Sequence, residues 1–477
     1  VSRRQNLADI AWHLLTSAAE LYRDSPRASQ WLIGCLERLT EPMRIAVAGE
    51  QGVGRSTLVN ALAGEQIAPI EVGGGVGVSA WYRDGAEPGA VVCPPGGPGF
   101  PVPVTRKDRQ LHIDLRQWQP AQVDRVLVDW PARGLRDIIL IDTPAGTGPA
   151  WLAGQADAVV YATRDPGDAD VALLRSMQGT TGPITTIIAM TRADELGAGR
   201  IDALSSAKQI ARRRRSDGAV GSVCQNVVAV AGLLGQAGRT LRDDEFRALR
   251  ALAGIPRADL DLHLLSADRF VGGDLPVPLS GEERLALLDR FGVFGIRLAT
   301  TLIRRGADTQ SGLAGQLVQR SGLSELRESI GRFFLDRGEV LRARSALLGL
   351  TVVLRAEPRP QARTLAADAE RAIASTHDFE ELRLLSALRS GRLTMPGGLA
   401  DAAERLVGGV GVGPAERLGR TPEDPDDDLR TAVYDELAQW RAQAESQLLG
   451  SAQRAAARTV VRSCEGLLTD LTPAHRG

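Results

Sequence analysis

The stretch MRIAVAGEQGVGRSTLVNALAG, residues 43–64, constrains this chain more than any other. A β-rich run ends in glycine, a glycine-rich turn follows, and STLVNALAG then reads as a helix closed by Gly64. That is the order of a phosphate-binding loop. The pattern G-x-x-x-x-G-K-[S/T] is met at Gly49, Gly54 and Ser56 and missed at Arg55, where lysine is usual. Such a loop aims consecutive backbone N–H groups and the positive end of the following helix at the phosphates. Gly49, Gly52 and Gly54 permit the close approach, and Ser56 is placed to ligand Mg²⁺. Diphosphate binding rests on the loop amides and the helix terminus, which Gly49, Gly52, Gly54, Ser56 and Thr57 retain. Arg55 has the charge of lysine but is longer and planar, so it is free to point elsewhere.

Around the loop, apolar runs at 78–83, 124–130, 137–142, 157–163, 183–190 and 226–232 carry β-branched residues on both parities, as strands buried on both faces of a mostly parallel sheet do. Helical stretches between the later runs complete an alternating α/β domain over residues 42–238. Within it, GGGVG (73–77) and PPGGPGFPVP (94–103) are expected to form a long loop region. Residues 6–39 carry apolar side chains at helical spacing, broken near Pro26, and from 239 to 477 the period is again near 3.6. The segment 406–428 has no periodicity and reads as a mobile loop, and a last helical tract is expected from Leu429 to Leu471. The fold class that follows is an α/β P-loop head with a mostly parallel sheet plus an elongated α-helical bundle, residues 1–41 joining residues 239–477.

Composition narrows the function. Of 477 residues 43% are apolar and 24% charged, with a net charge of -1, the balance of a soluble globular chain without a general attraction to nucleic acid. No apolar run approaches the length of a spanning helix, so any membrane lipid contact is expected to be peripheral. Cys35, Cys93, Cys224 and Cys464 lie far apart, which argues against a disulfide framework and for a reducing cytosol. Ser2-Arg3-Arg4 resembles the start of an export signal, but Asp9, His13 and Glu20 interrupt the region that would have to be apolar. The ARRRR run at 211–215 reads as a solvated helix face.

Two further motifs follow the loop. DTPAG, residues 142–146, ends an apolar run and resembles the D-x-x-G in which aspartate holds a Mg²⁺-bound water and glycine senses the γ-phosphate. Asp142 is present, Ala145 stands at the glycine position, and Gly146 is one residue late. TRAD, residues 191–194, stands where [N/T]-K-x-D reads guanine, with the Asp194 carboxylate accepting from the base and the stem of Arg192 lying along it. A plain loop aspartate is the alternative for Asp194.

These motifs, together with EPMRIAVAG, TRADELGAGRIDALSSA, RTLRDDEFRALRALAG and LLDRFGVFGIR, resemble the bacterial dynamin-like proteins along nearly the whole chain. The resemblance implies a GTPase head on a helical neck and trunk, GTP or GDP with Mg²⁺ as ligands, and action at the inner face of the plasma membrane during envelope stress. It also implies a homo-oligomer, or a hetero-oligomer with a dynamin-like paralogue. It assigns the positioning of catalytic water to Gln51 and contact with the phosphates to Arg55. The sequence departs from the pattern at Arg55, at Ala145, and at the first switch, where GGGVG replaces the threonine that ligands Mg²⁺. Ser79 and Thr105 are the remaining hydroxyls of that kind in the region. Three departures at the γ-phosphate imply weak nucleotide and Mg²⁺ binding and weak or absent hydrolysis. A fully active dynamin-like GTPase and a nucleotide-free structural protein stay open as alternatives.

Overall fold

The computed structural model describes residues 7–68, 71–72, 76–107, 110–177, 183–196, 202–389 and 391–471. The Ser2-Arg3-Arg4 start and Gly73–Gly75 of the expected first switch lie outside the described residues. The main sheet has nine strands: β1 (Met43–Gly49), β2 (Ser79–Asp84), β3 (Gly89–Cys93), β4 (Phe100–Val102), β5 (Arg125–Trp130), β6 (Ile138–Asp142), β7 (Ala158–Thr163), β8 (Thr186–Met190) and β9 (Asn226–Ala229). Their order is β9-β8-β7-β1-β6-β2-β5-β3-β4. The first five in that order are parallel, and β2 joins β6 antiparallel. Every residue of β6, β7 and β8 is buried, which is why their sequences are continuous rather than alternating.

The expected long loop region contains structure. β3 pairs antiparallel with β5 on one side and β4 on the other, and Val104–Lys107 pairs with Gln110–Ile113 as a separate hairpin. Glycine and proline misled the expectation because they sit where a sheet accepts them. Gly97 N–H donates to Pro94 O in the turn between β3 and β4, and Pro101 lies on the edge strand, where a missing N–H leaves no partner unsatisfied.

The two N-terminal helices, Leu7–Leu21 and Pro26–Thr40, pack on the helix Gly338–Ala356, and Leu7, Ala11, Leu15 and Ala18 are buried there. Tyr22 Oη donates to Glu357 O at 2.6 Å and Trp31 Nε1 to Gly349 O at 3.1 Å. Arg38 connects this helical layer to the sheet, its Nε donating to Asp157 Oδ1 at 2.7 Å while Arg44 N–H donates to Oδ2 of the same carboxylate at 2.9 Å.

The periodic tract after 310 is three helices, Gln310–Arg320, Leu323–Phe333 and Gly338–Ala356. The first break sits against the sheet, where Ala231 N–H donates to Ser321 O at 2.8 Å and Gly322 packs so closely on Ala229 that a Cβ would collide with its carbonyl oxygen. The tract from 429 is a hairpin, Asp426–Glu445 and Ser451–Asp470. The segment 406–428, expected as a mobile loop, holds the helix Pro414–Leu418 and buries Leu406, Val407, Ala415 and Leu418. The ARRRR run lies on the helix Ala203–Ser216 with Arg212, Arg213 and Arg215 exposed and Arg214 paired with Asp165, the solvated face expected.

One largely buried cation in the helical layer has no protein partner among the described residues. Arg344 is nine-tenths buried and makes no hydrogen bond or ion pair among the described residues. Burial, reinforced by the nearby Arg383, pulls its pKa down to about 10. Arg344→Met keeps the apolar stem and removes the desolvated charge, and is expected to stabilise the fold by about 1–3 kcal/mol. A lower midpoint in urea denaturation would contradict this.

Candidate functional site

The phosphate loop leaves the C-terminal end of β1, between β6 and β7, in the crevice where parallel sheets bind ligands. Gly49 lies so close to β7 that a Cβ would collide with the Ala162 carbonyl oxygen. Gly54, at φ 94°, starts the helix Arg55–Ala63, and no side chain caps that terminus. The first N–H groups of the helix, from Arg55, Ser56 and Thr57, therefore face the loop without a capping side chain, as an anion site requires. Gly52 (φ 76°) and Gln51 are exposed on the loop, so Gln51 is accessible but has no hydrogen-bonded place in the described structure.

The loop is joined to the DTPAG segment by two contacts. Ser56 Oγ donates to Asp142 Oδ2 at 2.7 Å, and Arg55 Nη1 donates to Thr143 O at 2.5 Å. Residues 86 apart in sequence thus meet because β1 and β6 are parallel neighbours. The hydroxyl and carboxylate converge as two oxygen ligands for a divalent cation. Asp142 is buried, and burial raises its pKa despite the Ser56 hydrogen bond and the charge of Arg55. A bound Mg²⁺ would compensate that desolvation, so these residues fit the ion. Among the described residues no three His, Cys, Asp or Glu side chains gather around a common point, so such an ion would complete its shell with water and phosphate oxygens.

The raised Asp142 pKa carries a sign. A carboxyl favoured in its neutral form by the fold contributes most below its unfolded value, about 3.9, and that contribution is lost as pH rises through the raised folded value. Asp142→Asn is therefore expected to raise the melting temperature of the nucleotide-free chain at pH 7. The gap from the unaltered chain should close as the pH is lowered towards 4. A gap that stays constant with pH would tie the effect to shape rather than charge.

Arg55 does point elsewhere: its guanidinium is held on the backbone of DTPAG. Gly146, not Ala145, takes the positive φ of 74° in that turn, and Thr147 Oγ1 donates to Pro144 O. Of the two remaining hydroxyls of the first-switch region, Ser79 stands at the crevice end of β2, one residue before Ala80, the partner of Asp142, and Thr105 is on the separate hairpin. Ser79 is buried in β2 and accepts from Trp81 Nε1 at 3.0 Å, and Thr105 is exposed on the hairpin beside β4.

TRAD follows β8, two strands from β1 on the same crevice side. Thr191 fixes it to β7 by donating from N and Oγ1 to Thr163 O, at 2.8 and 3.2 Å. Arg192 adopts φ 53°, rare for a side-chain-bearing residue, and its Nη1 donates to Glu195 Oε1 at 2.5 Å. Asp194 is half-buried with its pKa raised, chiefly by burial and against a hydrogen bond from its own backbone N–H, and no described cation forms an ion pair with it. Sequence reasoning missed Asp170. It accepts from Tyr161 Oη at 2.7 Å and from Gly167 N–H at 2.9 Å, and so shapes the loop after β7. Nothing in its local sequence signals that role.

No described protein-family pattern matches the sequence. Isoniazid-induced protein IniC of two Mycobacterium tuberculosis strains is 39% identical over 453 residues, covering 91% of this chain and 92% of the relative in each case. Two solved structures from a study of "an oligomerised bacterial dynamin pair" align over 99% and 97% of this chain and 75% of theirs. Their identities are 12% and 11% and their TM-scores 0.34 and 0.33, values that say nothing of activity. Identity at that level over nine-tenths of both sequences establishes that this chain belongs to the IniC family.

Proposed function

We propose that the chain is a dynamin-like guanine-nucleotide-binding protein of membrane remodelling, with residues 42–238 as the GTPase head and residues 1–41 and 239–477 as neck and trunk. The observation that carries the reading is the division within one loop. The uncapped helix terminus after Gly54 and the Ser56–Asp142 pair keep what diphosphate and Mg²⁺ binding need, while Arg55 is spent on the Thr143 carbonyl. When bound, Mg²⁺ would neutralise phosphate charge between Ser56 and Asp142. The loop amides would hold the β-phosphate, and Asp194 would accept from the guanine edge. Without a switch threonine, little discriminates GTP from GDP, and turnover is weak or absent.

Among the described residues no helix is long and apolar enough to cross a membrane, and the lipid contact we propose, at the inner face of the plasma membrane, is peripheral. The relatives are named for induction by isoniazid, and we extend that induction to this chain, with an active paralogue as the oligomeric partner. Titration of the purified protein with GDP, GTP and ADP in Mg²⁺ tests the reading. Guanine nucleotides should bind with equal affinities and ADP should not. Absence of guanine nucleotide binding would instead favour the structural protein with an empty head.

A further inference from the structure

A large cavity lies beside the phosphate-loop helix and, of residues 49–57, touches Thr57 alone. It occupies about 860 Å³ along the helix Arg55–Ala63, which it touches at Thr57 and Asn60. Its walls come from the head, through residues 64–68 and the hairpin strand Gln110–Ile113, and from the helices Gly232–Arg239 and Gly281–Arg304. Asn60 holds one wall rigid: its Oδ1 accepts from Ile67 and Ala68 N–H and its Nδ2 donates to Ala68 O, each at 2.8 Å.

The charge on these walls is unbalanced. Four arginines, Arg106, Arg239, Arg242 and Arg290, face two carboxylates, Glu65 and Asp289. Arg106 pairs with Glu65 at 3.1 Å, and the buried Glu245 behind the wall serves both Arg242 and Arg290, at 3.0 and 2.8 Å. Arg239 is half-buried and makes no hydrogen bond or ion pair among the described residues. Its guanidinium lies flat against Gly64, so that a Cβ there would collide with it. Burial and the neighbouring Arg327 disfavour its charge, and Glu65 only partly offsets them. At the C-terminus of the phosphate-loop helix the bonds are made by others, Arg327 donating to Leu62 O at 3.1 Å and Gly64 N–H to Asn60 O.

We propose that this cavity is a second ligand site, separate from the phosphate loop, that takes a phosphate-bearing anion with Arg239 as its principal contact and Arg106 on the facing wall. A multiply charged phosphate suits a polar, arginine-lined space of this size, since guanidinium and phosphate pair in a planar, two-point geometry. Because the walls belong to head and helical layer alike, occupancy fastens the two together.

Inorganic pyrophosphate is the probe, titrated calorimetrically into the full chain, Arg239→Gln, Arg106→Gln and Gly52→Asp. Gly52→Asp places a carboxylate in the phosphate loop, in open space though at a strained positive φ of 76°, and so blocks that competing site. The expected result is a pyrophosphate site that survives Gly52→Asp and weakens about tenfold or more in Arg239→Gln. Arg239→Gln without anion should melt no lower than the unaltered chain. Should Arg239→Gln fail to fold, the same weakening in Arg106→Gln carries the test. Loss of all pyrophosphate binding in Gly52→Asp, or binding unaffected by either arginine variant, overturns the proposal. Vesicles containing phosphatidylglycerol, pelleted with the unaltered chain and with Arg239→Gln, separate the two sources. Co-pelleting that depends on Arg239 assigns the anion to a lipid headgroup, and pyrophosphate binding without it assigns a free phosphate.

Discussion

Phosphate release from GTP by the purified chain is expected to run about 10³-fold or more below that of a GTPase with intact switches, and Arg55→Lys is expected to leave it there. Loss of one preorganised donor at the γ-phosphate typically slows the chemical step by about 10² to 10³. Here the Arg55 guanidinium rests on the Thr143 carbonyl, the glycine of the second switch is displaced to Gly146, and Ser79 is a buried strand residue bonded to Trp81. Lysine at position 55 restores one charge and neither of the other two features. A phosphate-release assay with GTP and Mg²⁺ on both chains reads the result directly. Robust turnover by the unaltered chain, abolished by Ser56→Ala, would reinstate a fully active GTPase.

The second large effect belongs to Glu381. Its carboxylate is 2% exposed and receives Arg417 on both oxygens, at 2.7 and 3.1 Å, and Arg337 Nη1 at 3.2 Å. Burial alone would raise its pKa. His377, Arg417 and Arg337 together outweigh burial and hold it well below the usual carboxylate range. Glu381→Ala leaves two arginines without their anion in the interior, and should destabilise the fold by about 3–5 kcal/mol. The pH dependence follows from the lowered value. The stabilisation is complete above the unfolded pKa, about 4.3, and is lost as pH falls from there towards the folded value. Urea midpoints of the unaltered chain and Glu381→Gln should therefore be furthest apart near pH 7 and converge below about pH 4. Equal midpoints at pH 7 would show the network to be without net effect.

Glu381 also shows why part of the fold was not legible. Its partner Arg417 sits in the aperiodic segment 406–428, which charge pairing and carbonyl capping help to order beside its buried apolar residues, with Arg337 Nη2 donating to Val407 O at 2.7 Å. Hydrophobic periodicity carries no record of such bonds. Strand β4 was hidden for a related reason, since an edge position admits the proline that central strands reject. What could be read was what the crevice demands locally. The loop glycines, Ser56 with Asp142, and Asp194 after β8 all lie where strand order and motif spacing put them. The direction taken by Arg55 was open in the sequence, because a long cation has several acceptors within reach and only packing selects one.

The hydrogen bond from Tyr22 to Glu357 spans 335 residues. At about 5 to 20 residues per second of synthesis, the acceptor follows the donor out of the ribosome by roughly 15 to 70 s. For that interval the first two helices have no surface on which to bury Leu7, Ala11, Leu15 and Ala18, whose resting place is a helix not yet made. The α/β head between them can complete its sheet in the meantime. A nascent chain of this protein thus carries a finished domain and an exposed apolar hairpin at once, a substrate for holding chaperones until the helix Gly338–Ala356 emerges.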